Sequence, residues 1–319
     1  MSWSPSRAFR RFTAVTAVLT YLLIVMGGVV RVTGSGLGCG ATDQWPFCHG
    51  QLLPPLQQTA LIEFGHRWIA TMATAAVVAL AVWTWTRYRH VRRLTVGVSV
   101  VLALFVVQIV LGAITVEFSL PSGVIMLHLA NALLLLGALV WIAAGTAMAG
   151  SARSRPAPAT IRLATIAGSA TYILALSGAF VVDQGAGSAC SGWPLCGNGF
   201  QLSSTQLADV NLLHRVVAGV VVLLLGYAMA KLRRARPHDV ALRGSCIAVT
   251  LLIVAQVVAG AVMVDLHLPP AVEAVHLALA SALWASVVLT VAITRGVGEA
   301  EHAAAAPVTP RAPAGVAAS

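Results

Sequence analysis

Long apolar runs separated by short polar punctuation divide the chain into eight segments, near 13–33, 63–86, 94–116, 124–148, 162–182, 210–230, 245–265 and 272–294. Each is close to the roughly 20 residues an α-helix needs to cross the hydrocarbon of a bilayer. The pattern predicts an all-α integral membrane protein with eight transmembrane helices. The first run follows a basic stretch, "SRAFRRF", of the kind that opens a signal peptide. That run is too long for a signal-peptide core and shows no small-residue cleavage site, so an uncleaved anchor is expected.

The pattern also repeats. At a shift of 148 residues Trp45 meets Trp193, Pro46 meets Pro194, Cys48 meets Cys196, and His66-Arg67 meets His214-Arg215. "VVQIVLGAITVEFSLPSGVIMLHLA" (106–130) and "VAQVVAGAVMVDLHLPPAVEAVHLA" (254–278) agree at 12 of 25 positions, Gln, Gly, Pro and His among them. Shared aliphatic residues do not produce such a match, so the chain reads as two four-helix units in tandem, 1–148 and 162–295, joined by a linker at 149–161. Four is even, so both units enter the membrane from the same side. The expected architecture is therefore two parallel four-helix bundles related by a pseudo-two-fold axis along the membrane normal. The tail at 296–319 is rich in Ala and Pro without a packable pattern, and is expected to be disordered.

Composition agrees: 58% of residues are hydrophobic and 9% charged, against about 25% charged in soluble domains. The net charge of +10 is distributed by topology, with seventeen of the twenty Lys and Arg on one side of the predicted spans. The positive-inside rule makes that side cytoplasmic and places both termini there. The aromatic or motif context of a nucleic-acid surface is absent. Only Arg31, Arg67 and Arg215 fall on the outer side, together with Asp43, Glu63, Glu117, Asp183, Asp209 and Asp265, and Glu273 just inside the last helix.

Of nine histidines, His90, His238 and His302 lie in cytoplasmic segments, and His49 and His267 in outer loops without a repeat partner. His66, His128, His214 and His276 each sit a short way inside a helix on the outer side, 62 residues apart within each half. A lone intrahelical His is usually a packing residue. Four repeat-paired ones at one depth suit axial ligation of haem, which two facing imidazoles in a helix bundle provide. Zinc would need further Cys or carboxylate ligands at that depth. Gln108 and Gly112, repeated as Gln256 and Gly260, lie on one face of the third helix of each half, where small residues admit a flat ring or a neighbouring helix. Haem propionates directed outward would meet Arg67 and Arg215, with Arg31 a third candidate; the alternative is contact with lipid phosphate. Cys39 and Cys48, and Cys190 and Cys196, lie on the oxidising side and would close small rings over the bundle mouth. Both pairs can be structural disulfides, and the first can also serve as a redox couple. Cys246 reads as a packing residue.

These motifs, "VVRVTGSGLGCG…WPFCHG", "EFGHRWIA", "CSGWPLCGNG", "LLHR" and "VHLALA", resemble in their order those of the haem A synthase family, over about 12–295. The resemblance implies an eight-helix oxidoreductase that converts haem O to haem A for terminal oxidases, oxidising a ring methyl to formyl by successive hydroxylations. It implies that His66 and His128 flank the substrate haem O, that His214 and His276 ligate a haem b cofactor, and that Glu63 is catalytic. It also implies a Cys39–Cys48 pair, here more widely spaced than in the family. Haem O synthase and the oxidase assembly machinery are the implied partners, with the electron carrier and any homo-oligomer left open.

The repeat bears on this division independently, because Glu63 meets Asn211 at the 148-residue shift and Arg31 meets Val181 or Val182. Histidines are duplicated while the acid is not, as expected if only the first site carries chemistry. The ordinary reading of Glu63 is an ion pair with Arg67 four residues on. Rival readings are a dihaem b-type electron carrier, which leaves that asymmetry unexplained, and a quinone-linked thiol oxidase, which leaves the histidines idle. A transporter is a further rival, without the usual broken helices.

Overall fold

A computed structural model describes residues 4–40, 48–150, 157–197 and 205–297. Asp43, Trp45, Pro46, His302, linker residues 151–156 and the tail from 298 lie outside the described residues.

Eight helices form: α1 Arg7–Val32, α2 Gln58–Arg87, α3 Arg92–Glu117, α4 Ser122–Met148, α5 Pro158–Asp183, α6 Gln206–Ala235, α7 Val240–Asp265 and α8 Pro270–Arg295. All eight are long and apolar enough to span a bilayer, and no strand occurs among the described residues. Most run a few residues beyond the apolar segments, and three of them begin at a side-chain cap. Ser6 accepts from the N–H of Phe9, Thr205 from Ala208 and Asp239 from Leu242, each meeting a donor the first helical turn leaves unpaired. Gly296, at φ 66°, closes α8 in the left-handed region.

The α3–α4 and α7–α8 turns are copies of one another. Ser119 and Leu120, and His267 and Leu268, all take positive φ ahead of Pro121 and Pro269. Left-handed non-glycine residues are strained and persist only where their surroundings fix them. The fixing contacts are visible: a Cβ on Gly36 would stand 3.0 Å from the Leu120 side chain, and one on Gly187 would stand 3.5 Å from Leu268. Each turn leucine thus lies against a glycine of the loop leaving α1 or α5.

In the first half α1 packs on α2 and α4, α2 on α3, and α3 on α4; in the second α5 packs on α6 and α8, α6 on α7, and α7 on α8. The halves meet through α1 with α8, α4 with α8, and α4 with α5. Phe9, Leu80, Val98 and Leu139 centre the first core; Leu225, Leu232, Val249 and Val287 centre the second. Ile24, Leu133, Leu136, Trp284 and Val288 fill the seam between them. Side chains facing outward are apolar too, Leu223, Leu251, Ile173 and Trp68 among them, as a lipid-facing surface requires. Lipid tails give helices little hydrophobic reason to associate, so close approach decides. At the seam Trp284 lies over Gly137, where a Cβ would come within 3.1 Å of the indole, and the indole N–H donates to the Leu133 carbonyl at 2.7 Å.

Two further seam contacts are exchanged between the halves. The Tyr21 hydroxyl on α1 donates to the carbonyl of Ala278 on α8 (3.3 Å), and that of Tyr172 on α5 to Ala130 on α4 (3.0 Å). Tyr21 and Tyr172 differ by 151 residues, as do Cys39 and Cys190, whereas Ala130 and Ala278 differ by 148. The repeat therefore has two offsets. The Cys39–Cys48 ring has a sequence separation of 9 and the Cys190–Cys196 ring one of 6, and these three residues are the difference. Of the two positions the sequence offered opposite Arg31, the longer offset selects Val182.

Candidate functional site

The four histidines project from α2, α4, α6 and α8, and each imidazole meets a glycine on a neighbouring odd-numbered helix. An added Cβ would lie 3.3 Å from His66 Cε1 at Gly27, 3.3 Å from His128 at Gly112, 3.1 Å from His214 at Gly178 and 3.2 Å from His276 at Gly260. Glycine at these positions lets each ring pack against the backbone of the neighbouring helix, where a Cβ would crowd it. Gly112 and Gly260 were legible as small residues on α3 and α7; Gly27 and Gly178 were not, because they match only at the offset of 151. Within each half the two histidines are electrostatic neighbours, His66 of His128 and His276 of His214.

Their nitrogens are held unevenly. The Gln108 side-chain NH2 donates to Nε2 of His128 (2.9 Å), and that of Gln256 to Nε2 of His276 (3.0 Å). Nδ1 of His214 is 2.8 Å from the Ser177 hydroxyl, while Nδ1 of His66, His128 and His276 is buried without a hydrogen-bond partner. Buried polar atoms in native proteins are nearly all paired, so three unpaired imidazole nitrogens mark side chains placed for something other than packing. Among the described residues no three His, Cys, Asp or Glu gather as a metal-binding group. Paired imidazoles packed on glycine, with no third His, Cys, Asp or Glu gathered beside them among the described residues, fit a group that brings its own four equatorial ligands, as haem does.

Above the histidines each half is capped by a disulfide loop, Cys39–Cys48 and Cys190–Cys196, with Cα separations of 4.5 and 4.8 Å. Both are buried, packed on Ala60 and Phe64 of α2 and on Ala208 and Leu212 of α6. Glu63 lies under the first loop, 3% exposed. It accepts the Cys39 backbone N–H on Oε2 at 2.7 Å and the Arg67 Nε–H on Oε1 at 3.0 Å. Arg67 Nη2 completes the ion pair. Asn211 takes the same place in the second half: Oδ1 accepts from Arg215 Nε (2.9 Å), and Nδ2 donates to the carbonyls of Ala186 and Gly187. A carboxylate can only accept, so the first loop offers it an N–H; an amide can donate, so the second loop offers carbonyls. Arg215 also donates to the carbonyls of Cys190, Gly192, Pro194 and Leu195. Its guanidinium serves the disulfide loop, a contact the sequence did not suggest. Arg31, exposed in the last turn of α1, has Glu273 of α8 and Asp183 of α5 as charged neighbours.

The family of cytochrome oxidase assembly proteins represented by the COX15-CtaA model matches residues 10–288. The haem A synthase of Alkalihalophilus pseudofirmus is 28% identical over 291 residues, covering 89% of this chain and 97% of that protein. That of Symbiobacterium thermophilum is 32% identical over 291 residues, covering 87% and 92%. The haem A synthase of Geobacillus kaustophilus is 29% identical over 295 residues, covering 88% of each. Eight spanning helices, duplicated glycine-backed histidines and a match across nearly the whole described length lead to one assignment: the chain belongs to the COX15-CtaA family of cytochrome oxidase assembly proteins.

Proposed function

We propose that this protein is a haem A synthase, an oxidoreductase that takes a ring methyl of haem O through successive hydroxylations to the formyl group of haem A. The observation that carries the reading is the uneven duplication. Both halves keep two histidines backed by glycines, while the buried carboxylate of Glu63 is matched by the neutral Asn211. The first half, 1–148, is read as the substrate side, with His66 and His128 flanking haem O. The second, 162–295, is read as the cofactor side, where His214 and His276 would hold haem b. A haem b held there supplies one-electron transfer.

Glu63 lies one helical turn from His66, held by Arg67 and the Cys39 N–H. A carboxylate fixed before the reaction needs no reorganisation to accept a proton or to stabilise positive charge developing as the methyl is oxidised. Of the outer arginines, Arg31 is the freest to meet a propionate, since Arg67 and Arg215 are engaged by Glu63 and by the second loop. The thiol-oxidase reading is disfavoured by burial: Cys39 and Cys48 are both 0% exposed, and exchange with a partner thiol requires access. The basic helix ends and both termini are read as cytoplasmic, the disulfide loops as extracytoplasmic.

The test is to express the protein with a supply of haem O, purify it, and resolve its extracted haems by chromatography beside a pyridine haemochrome spectrum. Haem A with a resident haem b is expected, and Glu63→Gln is expected to bind both haems yet leave haem O unconverted. Recovery of haem b and unmodified haem O without haem A from the wild type would overturn the reading in favour of a dihaem carrier.

A further inference from the structure

We propose that Ser177 and Asn131 decide which haem stays and which leaves: Ser177 fixes His214 as a permanent ligand, and Asn131 keeps His128 a reluctant one. This rests on reading the second half as the resident haem site and the first as the substrate site.

Ser177 Oγ lies 2.8 Å from the Leu174 carbonyl and 2.8 Å from Nδ1 of His214. A hydroxyl has one proton and a carbonyl can only accept, so the O–H goes to Leu174 and the Oγ receives the Nδ1–H of His214. That bond sets the tautomer. It leaves Nε2 bare for iron, and an imidazole whose other N–H is hydrogen-bonded is the stronger ligand. At the 151-residue offset Ser177 corresponds to Met26, each directly preceding the glycine that backs its histidine. Met26 extends toward Gly65, where a Cβ would lie 3.4 Å from its Cε, and Nδ1 of His66 is buried without a partner.

The second asymmetry lies behind the glutamines. Nε2 of His128 and of His276 is occupied by a glutamine amide N–H, which would have to turn away before either histidine could hold a haem iron through that nitrogen. In the first half Asn131 Nδ2 donates to Gln108 Oε1 (2.7 Å) and to the Leu104 carbonyl (2.9 Å), locking the amide toward His128. In the second half the counterpart of Asn131 is Leu279, and Gln256 Oε1 is buried without a partner. Turning Gln108 away breaks a buried network; turning Gln256 away breaks only its bond to His276. Both differences favour durable ligation in the second half and release in the first, as a resident cofactor and a product that must depart require.

Haem transfer from the purified full-length protein to excess apomyoglobin reads this directly. Ser177→Ala is expected to release haem b roughly 10–100-fold faster than the wild type, the usual effect of removing such an outer-shell partner. Its haem b midpoint potential is expected to rise, since a weaker donor favours the ferrous state. Ser177→Thr, which keeps the hydroxyl, is expected to restore both. Asn131→Leu is expected to slow release of haem O from the first half, with haem b release unchanged. Unchanged release and potential in Ser177→Ala would overturn the role of Ser177, and wild-type haem O release in Asn131→Leu would overturn that of Asn131. A low-spin b-type spectrum persisting in His214→Ala would instead show that the assignment of the resident haem is wrong.

Discussion

Gly178 and Gly226 lie on adjacent helices of the second half, and the space beside them differs. A Cβ on Gly178 would come within 3.1 Å of His214 Cε1, whereas one on Gly226 meets nothing within 4 Å. Gly178→Ala therefore has to move the imidazole that Ser177 holds. Gly226→Ala only removes backbone freedom from a helix interior, a gain of about 0.5–1 kcal/mol. The expected outcome is loss of most low-spin b-type absorbance in Gly178→Ala, and full absorbance with equal or higher thermal stability in Gly226→Ala. Equal spectra in the two variants would show that the space beside His214 does not matter to haem binding. The histidines themselves were legible in the sequence because their repeat spacing is unbroken. Ser177 and Asn131 were not, since a serine or asparagine in an apolar helix announces no direction until its neighbours are known.

At the scale of the element, the spans were legible because a bilayer imposes length and apolarity on every crossing helix, whatever its detailed packing. Their ends were less so: α2 begins at Gln58 and α6 at Gln206, in polar turns that hydropathy assigns to loops. The longer first disulfide ring hid the register of α1 against α5, and with it Gly27, Gly178, Tyr21 and Tyr172. That ring also separates two functions that look alike in sequence. The Cys39 N–H is a direct donor to Glu63, while the second loop is gathered by Arg215. Replacing Cys39 and Cys48 together by Ser is expected to slow haem O conversion severalfold with haem b absorbance retained, because the loop anchoring the carboxylate loosens. Arg215→Met deprives several loop carbonyls of their donor at about 1–3 kcal/mol for each one left buried. It is expected to lower the midpoint of thermal unfolding, followed through haem b absorbance, while leaving the extracted haem A unchanged in the protein that remains folded.

In the whole molecule α1 and α4 of the first four helices meet α5 and α8 of the second four along one seam. The seam combines an exchanged pair of tyrosine hydrogen bonds with an unduplicated indole, since Trp284 corresponds to Leu136 in the first half. Each tyrosine reaches the opposite half two residues beyond a histidine, Ala130 after His128 and Ala278 after His276. Both accepting carbonyls belong to helix interiors, so removing a hydroxyl costs a net hydrogen bond of about 1 kcal/mol and strands no acceptor. Tyr21→Phe and Tyr172→Phe should therefore each lower stability by that amount, and their sum should hold in the double variant because they share no partner. Trp284→Leu, which makes the position match its repeat, forfeits both the bond to Leu133 and the contact over Gly137. A cavity cost of large-to-small substitution adds to it, together roughly 2–5 kcal/mol. Unfolding titrations in detergent, read by haem b absorbance, would rank the four variants. A Trp284→Leu cost no larger than that of either tyrosine would place the strength of the seam in its repeated contacts rather than in the one residue that breaks the repeat.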